Sequence, residues 1–140
     1  MAAAAWVAYH EGIEDILDGT VDWDGDTIKM ILCDAAYTPA ATDTAVSNQL
    51  STASGYTSGG VTLTCTALNS GGTITLDASD ASWTASGGSI AAATAVIIKD
   101  ATTQPLFYSV LNAGANITAT TGNNFDVNIN ASGVATFAAA

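Results

Sequence analysis

The stretch Thr27-Ile28-Lys29-Met30-Ile31-Leu32-Cys33-Asp34 decides the fold class. Ile28, Met30 and Leu32 alternate with Lys29, Ile31 and Cys33, the two-residue period of a strand. Both sets are largely apolar, so the pattern predicts a strand covered on both faces, in the middle of a sheet. Tyr37 to Ala53 follows it, rich in Thr, Ala, Ser and Asn and holding Pro39. It reads as a long excursion in which Asp43 or Thr44 caps a short helical turn through Val46 and Leu50.

Further along, strand patterns recur at short intervals. Val61 to Thr66 alternates Val61, Leu63 and Cys65 against Thr62, Thr64 and Thr66, Thr73 to Leu76 continues the alternation, and Ala81 to Ala85 carries Trp83. Ala93 to Lys99 and Leu106 to Leu111 are apolar runs joined by the turn residues Asp100 to Pro105, which predicts a hairpin. Asn116 to Thr120, Phe125 to Ile129 and Val134 to Phe137 complete the series. Gly59-Gly60, Gly71-Gly72, Gly87-Gly88, Gly114, Gly122 and Ser132-Gly133 punctuate it. Many short strands closely spaced between turns predict a mainly β protein, an antiparallel β-sandwich or partly open barrel.

The first residues differ. Trp6, Tyr9, Ile13, Ile16 and Leu17 fall at helical spacing, with Glu11, Glu14, Asp15 and Asp18 mostly off that stripe. Gly19 suits a helix C-cap, whereas an interior Gly12 costs about 1 kcal/mol relative to Ala. The expected organisation is a short N-terminal helical arm, 1–19 with its helix at roughly 3–18, and a single β domain over 20–140. The apolar side of such an arm must dock, on its own domain or on a neighbouring subunit. Trp6, Tyr9, Ile13 and Leu17 are the candidate interface residues.

Composition narrows the partners. The 140 residues hold two basic side chains, Lys29 and Lys99, and thirteen acidic ones, for a net charge of −11. A phosphate backbone or an anionic lipid surface needs clustered cations, so neither nucleic acid nor a membrane is an expected partner. Charged residues make up 11% of the chain, against about 25% in ordinary domains, and Thr supplies the uncharged strand surface. The start of the chain lacks the positive region and long apolar run of a secretory signal, and no run approaches the ~20 apolar residues of a membrane helix. Synthesis and folding in a cytoplasm are expected. Two cysteines, Cys33 and Cys65, suit that compartment; a bridge between them is conceivable, and two small buried apolar side chains are the simpler reading.

Motifs for chemistry are scarce. His10 is the one histidine and lies on the arm, no G-x-S-x-G elbow occurs, and neither phosphate-binding glycine motif is present. His10, Cys33 and Cys65 fall short of a zinc set. Asp22, Asp24 and Asp26 have the spacing that opens a calcium-binding loop. Thr27 then stands where that loop needs glycine and Cys33 where it needs a bidentate Glu, so an acidic turn leading into a strand is the better reading. The chain is expected to be no enzyme and to carry no cofactor or metal. Trp23, Trp83 and Tyr56 offer aromatic surface that could read a sugar if exposed and fill the core if buried.

Five segments in order resemble a known family. They are His10-Glu11-Gly12-Ile13-Glu14-Asp15, Asp26 to Leu32, Gly55-Tyr56-Thr57-Ser58-Gly59-Gly60-Val61, Ala81 to Ile90, and Val96-Ile97-Ile98-Lys99-Asp100 with Pro105-Leu106. Their order and spacing, from about Tyr9 to Leu111, are similar to those of small virion structural proteins of tailed bacteriophages. In that family an F-x-E-D arm, a D-T-I-K-V-x-L strand, a G-Y-T-x-G-G turn, a W-T-A-S-G-G-T-I segment and a V-V-L-Y-N-D … P-L-I hairpin follow one another. Ser89 to Ala95, four of its seven residues Ala and none aromatic or Arg, departs from the aromatic or Arg residues that relatives often place there.

The resemblance implies a capsid decoration (cement) protein. It would sit on the outer surface of a phage head against the major capsid protein, often as a trimer, with no catalytic residues. Two other readings are a tail or head–tail junction component and a carbohydrate-binding β-sandwich module. A hydrolase using an acidic pair is the weakest, since nothing in the spacing pairs any two carboxylates.

Overall fold

The computed structural model describes residues 3–138. In chain order its strands are β1 Val7–Ala8, β2 Ile28–Cys33, β3 Val61–Thr62, β4 Cys65–Ser70, β5 Thr73–Ala78, β6 Ala81–Thr84, β7 Ile90–Ala92, β8 Thr94–Lys99, β9 Gln104–Val110, β10 Ile117–Ala119, β11 Asn124–Val127 and β12 Ala135–Ala138. One helix, α1, spans His10–Asp18, and a 3-10 turn spans Asn112–Gly114.

β2 lies inside the main sheet, as its two apolar faces require. It pairs antiparallel with β8 from Ile28 opposite Lys99 to Cys33 opposite Thr94, and with β3 on its other side. The sheet runs β1-β9-β8-β2-β3. Ile28, Met30 and Leu32 enter the larger core with Ile97, Phe107 and Trp23. Ile31 and Cys33 enter a second cluster on the opposite face with Val96, Ile98, Tyr9, Tyr37 and Tyr108. Both faces are therefore buried.

Three smaller antiparallel sheets, β10-β7, β11-β6 and β12-β5-β4, contribute to the larger core through Ile90, Trp83, Phe125, Val127 and Leu76. The result is a mainly β protein of several antiparallel sheets with one short helix; no closed barrel forms, and the arrangement is that of a β-sandwich. The β8–β9 hairpin forms across the expected turn, with its register shifting between Ile97 and Ile98 so that Ile98 faces Pro105. A proline has no N–H to give the ladder, so a shift at that pair is the expected accommodation.

Three local expectations need correction. The helix begins at His10 rather than near residue 3, because Ala3 to Tyr9 is committed to extended pairing. The Ala3 N–H donates to Asn128 O at 3.2 Å and the Tyr9 N–H to Leu106 O at 3.0 Å, while β1 pairs with β9. Val61 to Thr66 is two strands: the Leu63 N–H still bonds Ile28 O in register with β2, and past it the chain leaves β2 to pair with β5 from Cys65 opposite Ala78. No helical turn forms at Asp43 among the described residues. Its carboxylate accepts from the Ala40 N–H at 3.0 Å and the Tyr37 hydroxyl at 3.1 Å, closing a compact loop.

Candidate functional site

The four candidate interface residues occupy different environments. Tyr9, fully buried, sits in the second cluster with its ring 4.9 Å from that of Tyr108 and its hydroxyl 2.8 Å from that of Tyr37. Trp6 and Ile13 are half-buried and pack on the larger core. Leu17 is 69% exposed. The spacing of Trp6 and Tyr9 belongs to extended chain, where residues 6 and 8 face one way and 7 and 9 the other. What looked like one apolar stripe is thus divided between a strand and a helix.

α1 itself is held rigidly. A Cβ built on Gly12 would stand 2.7 Å from Leu106 Cα, so only glycine lets the helix lie this close to β9. The helix ends at Gly19 with φ 85°, the left-handed conformation expected of that cap. Leu17 therefore projects from a clamped support, with Glu14, Asp15 and Asp18 on the same short helix.

The carboxylates are largely occupied with local structure. Asp22 accepts the Gly25 N–H at 3.1 Å, and Asp26 accepts the Asp22 N–H at 2.9 Å, closing the acidic turn on itself. Asp26 also pairs with Lys99 at 2.8 Å; that ammonium first, and the Asp22 N–H second, hold the Asp26 carboxyl below its ordinary range. Lys29 pairs with Asp100 at 3.0 Å. Both basic side chains of the chain are thereby tied to aspartates of the same molecule. Hydrogen bonds from Thr20 hold the Asp18 carboxyl low as well.

The nucleophile and platform candidates lie inside. Cys33 and Cys65 are free thiols on β2 and β4, strands of different sheets. Burial pushes each up to about 12, with nearby aspartates adding to it, so neither thiol is poised as a thiolate. Trp23 is 3% exposed, and its indole N–H donates to Thr66 O and Asp77 O at 3.1 and 3.0 Å. Trp83 and Tyr56 are also buried, their rings 5.8 Å apart. Buried in this way, the three rings fill the core instead of presenting open faces to solvent.

The segments that carry the family resemblance meet one another. Gly12 lies against Leu106, Gly60 (φ 75°) against the Met30 carbonyl, and Gly55 (φ 90°) against the Thr84 carbonyl. Tyr56 joins the same set: its hydroxyl accepts the Leu32 N–H at 3.2 Å while its ring packs on Trp83. Each contact links one segment of the series to another. Their residues are used to hold sheets and helix together at close approach.

Three large apolar side chains are exposed among the described residues: Val7, Leu17 and Leu68. The sequence signalled Leu17 through its place on the helix. Leu68 gave no signal, because its exposure depends on β4 being the outer strand of its sheet.

Comparison with protein families, with curated proteins and with solved structures gave no match.

Proposed function

We propose that this chain is a non-catalytic structural protein of a phage particle, a decoration protein that binds the outer face of the head against the major capsid protein. The observation that carries this reading is the mutual packing of the five segments that resemble the family. Gly12, Gly55, Gly60 and Tyr56 are consumed in close contacts between segments, as suits motifs whose work is to fix a rigid fold.

Surface chemistry agrees with the role. With Lys29 and Lys99 tied to Asp100 and Asp26, the outward charge is carboxylate, which keeps free copies apart and does not favour the DNA-filled interior. Attachment must then come from apolar and hydrogen-bonded contacts. Leu17, exposed on a helix clamped through Gly12, is the anchor best placed for it.

Purified chain added to heads that lack it tests the proposal. Saturable binding to the shell is expected, and binding only to tails or to no part of the particle would refute it.

A further inference from the structure

The three-stranded sheet β12-β5-β4 ends in β4, which has no strand paired on its outer side among the described residues; of its residues, Thr66 gives its carbonyl to the Trp23 indole. Thr66, Ala67, Leu68, Asn69 and Ser70 are all exposed, and Leu68 is 61% exposed. The pairing of β4 with β5 is unbroken from Cys65 opposite Ala78 to Ser70 opposite Thr73. Proteins blunt such edges with lysine, proline, a bulge or a covering loop, because an open row of backbone donors and acceptors invites another strand. Residues 65–70 contain no proline and no charge, and no bulge interrupts them.

We infer that β4 is a self-pairing edge, through which two copies of this chain join antiparallel about a two-fold axis at Leu68. The inference does not depend on the particle reading, and it sets a two-fold dimer in place of the trimer that the resemblance implies.

Three observations favour a second copy as the occupant. First, the strand is complementary to itself. With Leu68 opposite Leu68 of the other copy, Thr66 falls opposite Ser70 and Ala67 opposite Asn69. An apolar pair is then flanked on its own face by hydroxyl pairs, combinations that stabilise antiparallel neighbours. The alternation permits this register, since a two-fold perpendicular to the sheet keeps every side chain on its face.

Second, charge directs two copies to this place. The chain carries −11 and has both lysines engaged internally, so most approaches bring carboxylate to carboxylate. Residues 44–76 hold no charged side chain at all. Carboxylates near the strand are those of Asp77, which sits opposite Thr66 on β5 and accepts the Ala78 N–H, and of Asp22 and Asp24, which line a groove with Ala67. At the axis itself Leu68 faces the uncharged Thr75.

Third, pairing merges two three-stranded sheets into one of six, removing both exposed β4 edges at once. A basic foreign strand would find no counter-charge on β4 itself.

Sedimentation of the full chain, combined with cross-linking, tests this. The wild type is expected at twice the 14.0 kDa chain mass, with Leu68→Asp sedimenting as a monomer of unchanged near-ultraviolet circular dichroism. In a Cys65→Ser background, Leu68→Cys should oxidise to a covalent dimer, whereas Thr75→Cys, one strand further from the axis, should not. A monomeric wild type at millimolar concentration, a trimer, or an assembly indifferent to Leu68→Asp would each overturn the inference, as would equal cross-linking at both positions.

Discussion

Gly12 of α1 and Leu106 of β9 touch backbone to backbone, at a separation no side chain at position 12 could share. Helix propensity alone says that replacing this glycine by alanine should stabilise α1 by about 1 kcal/mol. The contact reverses the sign. The added methyl would meet Pro105 O and Leu106 Cα, both backbone atoms that cannot swing aside. Gly12→Ala is expected to destabilise the fold by about 1–3 kcal/mol, the range for forced overpacking. Chemical denaturation checks it, and a stabilised variant would show that the helix is not clamped.

Stability should fall in alkali. Burial, reinforced by the hydrogen bond with Tyr37, raises the Tyr9 phenol well above its ordinary value of 10.0, and burial pushes the Tyr37 phenol up to about 12. Cys33 and Cys65, ordinarily 9.0, are likewise held up to about 12. The unfolded chain loses these protons first, so it binds fewer protons than the folded one and stability declines as pH rises. The decline begins near pH 9 with the thiols and steepens past pH 10 with the phenols. Each group that stays protonated adds a slope of about 1.4 kcal/mol per pH unit. Denaturation midpoints from pH 8 to 11 measure it, and Tyr9→Phe should flatten the slope above pH 10. A level profile would contradict the buried tyrosine pair.

Calcium should leave the protein unchanged. Asp22 and Asp26 are engaged by the Gly25 and Asp22 backbone N–H groups, and Asp26 by Lys99. A cation would have to displace these partners. Millimolar calcium is expected to shift the melting temperature by less than about 1 °C, since only a ligand well above its dissociation constant stabilises measurably. A rise of several degrees would show that the turn rearranges into a binding loop.

Leu17→Gln separates attachment from folding. Leu17 is mostly exposed, and glutamine keeps helix propensity, so the melting temperature should hold. If Leu17 anchors the chain to a shell, losing its burial costs about 1.5–3 kcal/mol, or roughly 10- to 150-fold in affinity. A binding titration on heads lacking the protein checks it, and unchanged affinity would remove Leu17 as the anchor.

β2 and the β8–β9 hairpin were legible in the sequence because each carries its own signal, two apolar faces in one and a turn between apolar runs in the other. Trp6 and Tyr9 misled because aromatic residues three apart imitate a helix, and the short stretch Val7-Ala8 between them gives too little alternation to reveal a strand. The break between β3 and β4 left no trace. Val61 to Thr66 alternates without a fault, and the change of sheet shows only in the partners: the Leu63 N–H still bonds Ile28 O, whereas Thr64 O accepts the Ser79 N–H. Gly12 read as a weakness in the helix because its reason lies on β9, far along the chain. Leu68 was invisible for the same cause, since an edge is a property of sheet order.

Imaging the intact particle by electron cryomicroscopy tests the proposed role most directly. Decoration predicts density matching this sandwich on the outer face of the head, repeated over the whole shell. Density confined to the tail or the head–tail junction, or none at all, would contradict it.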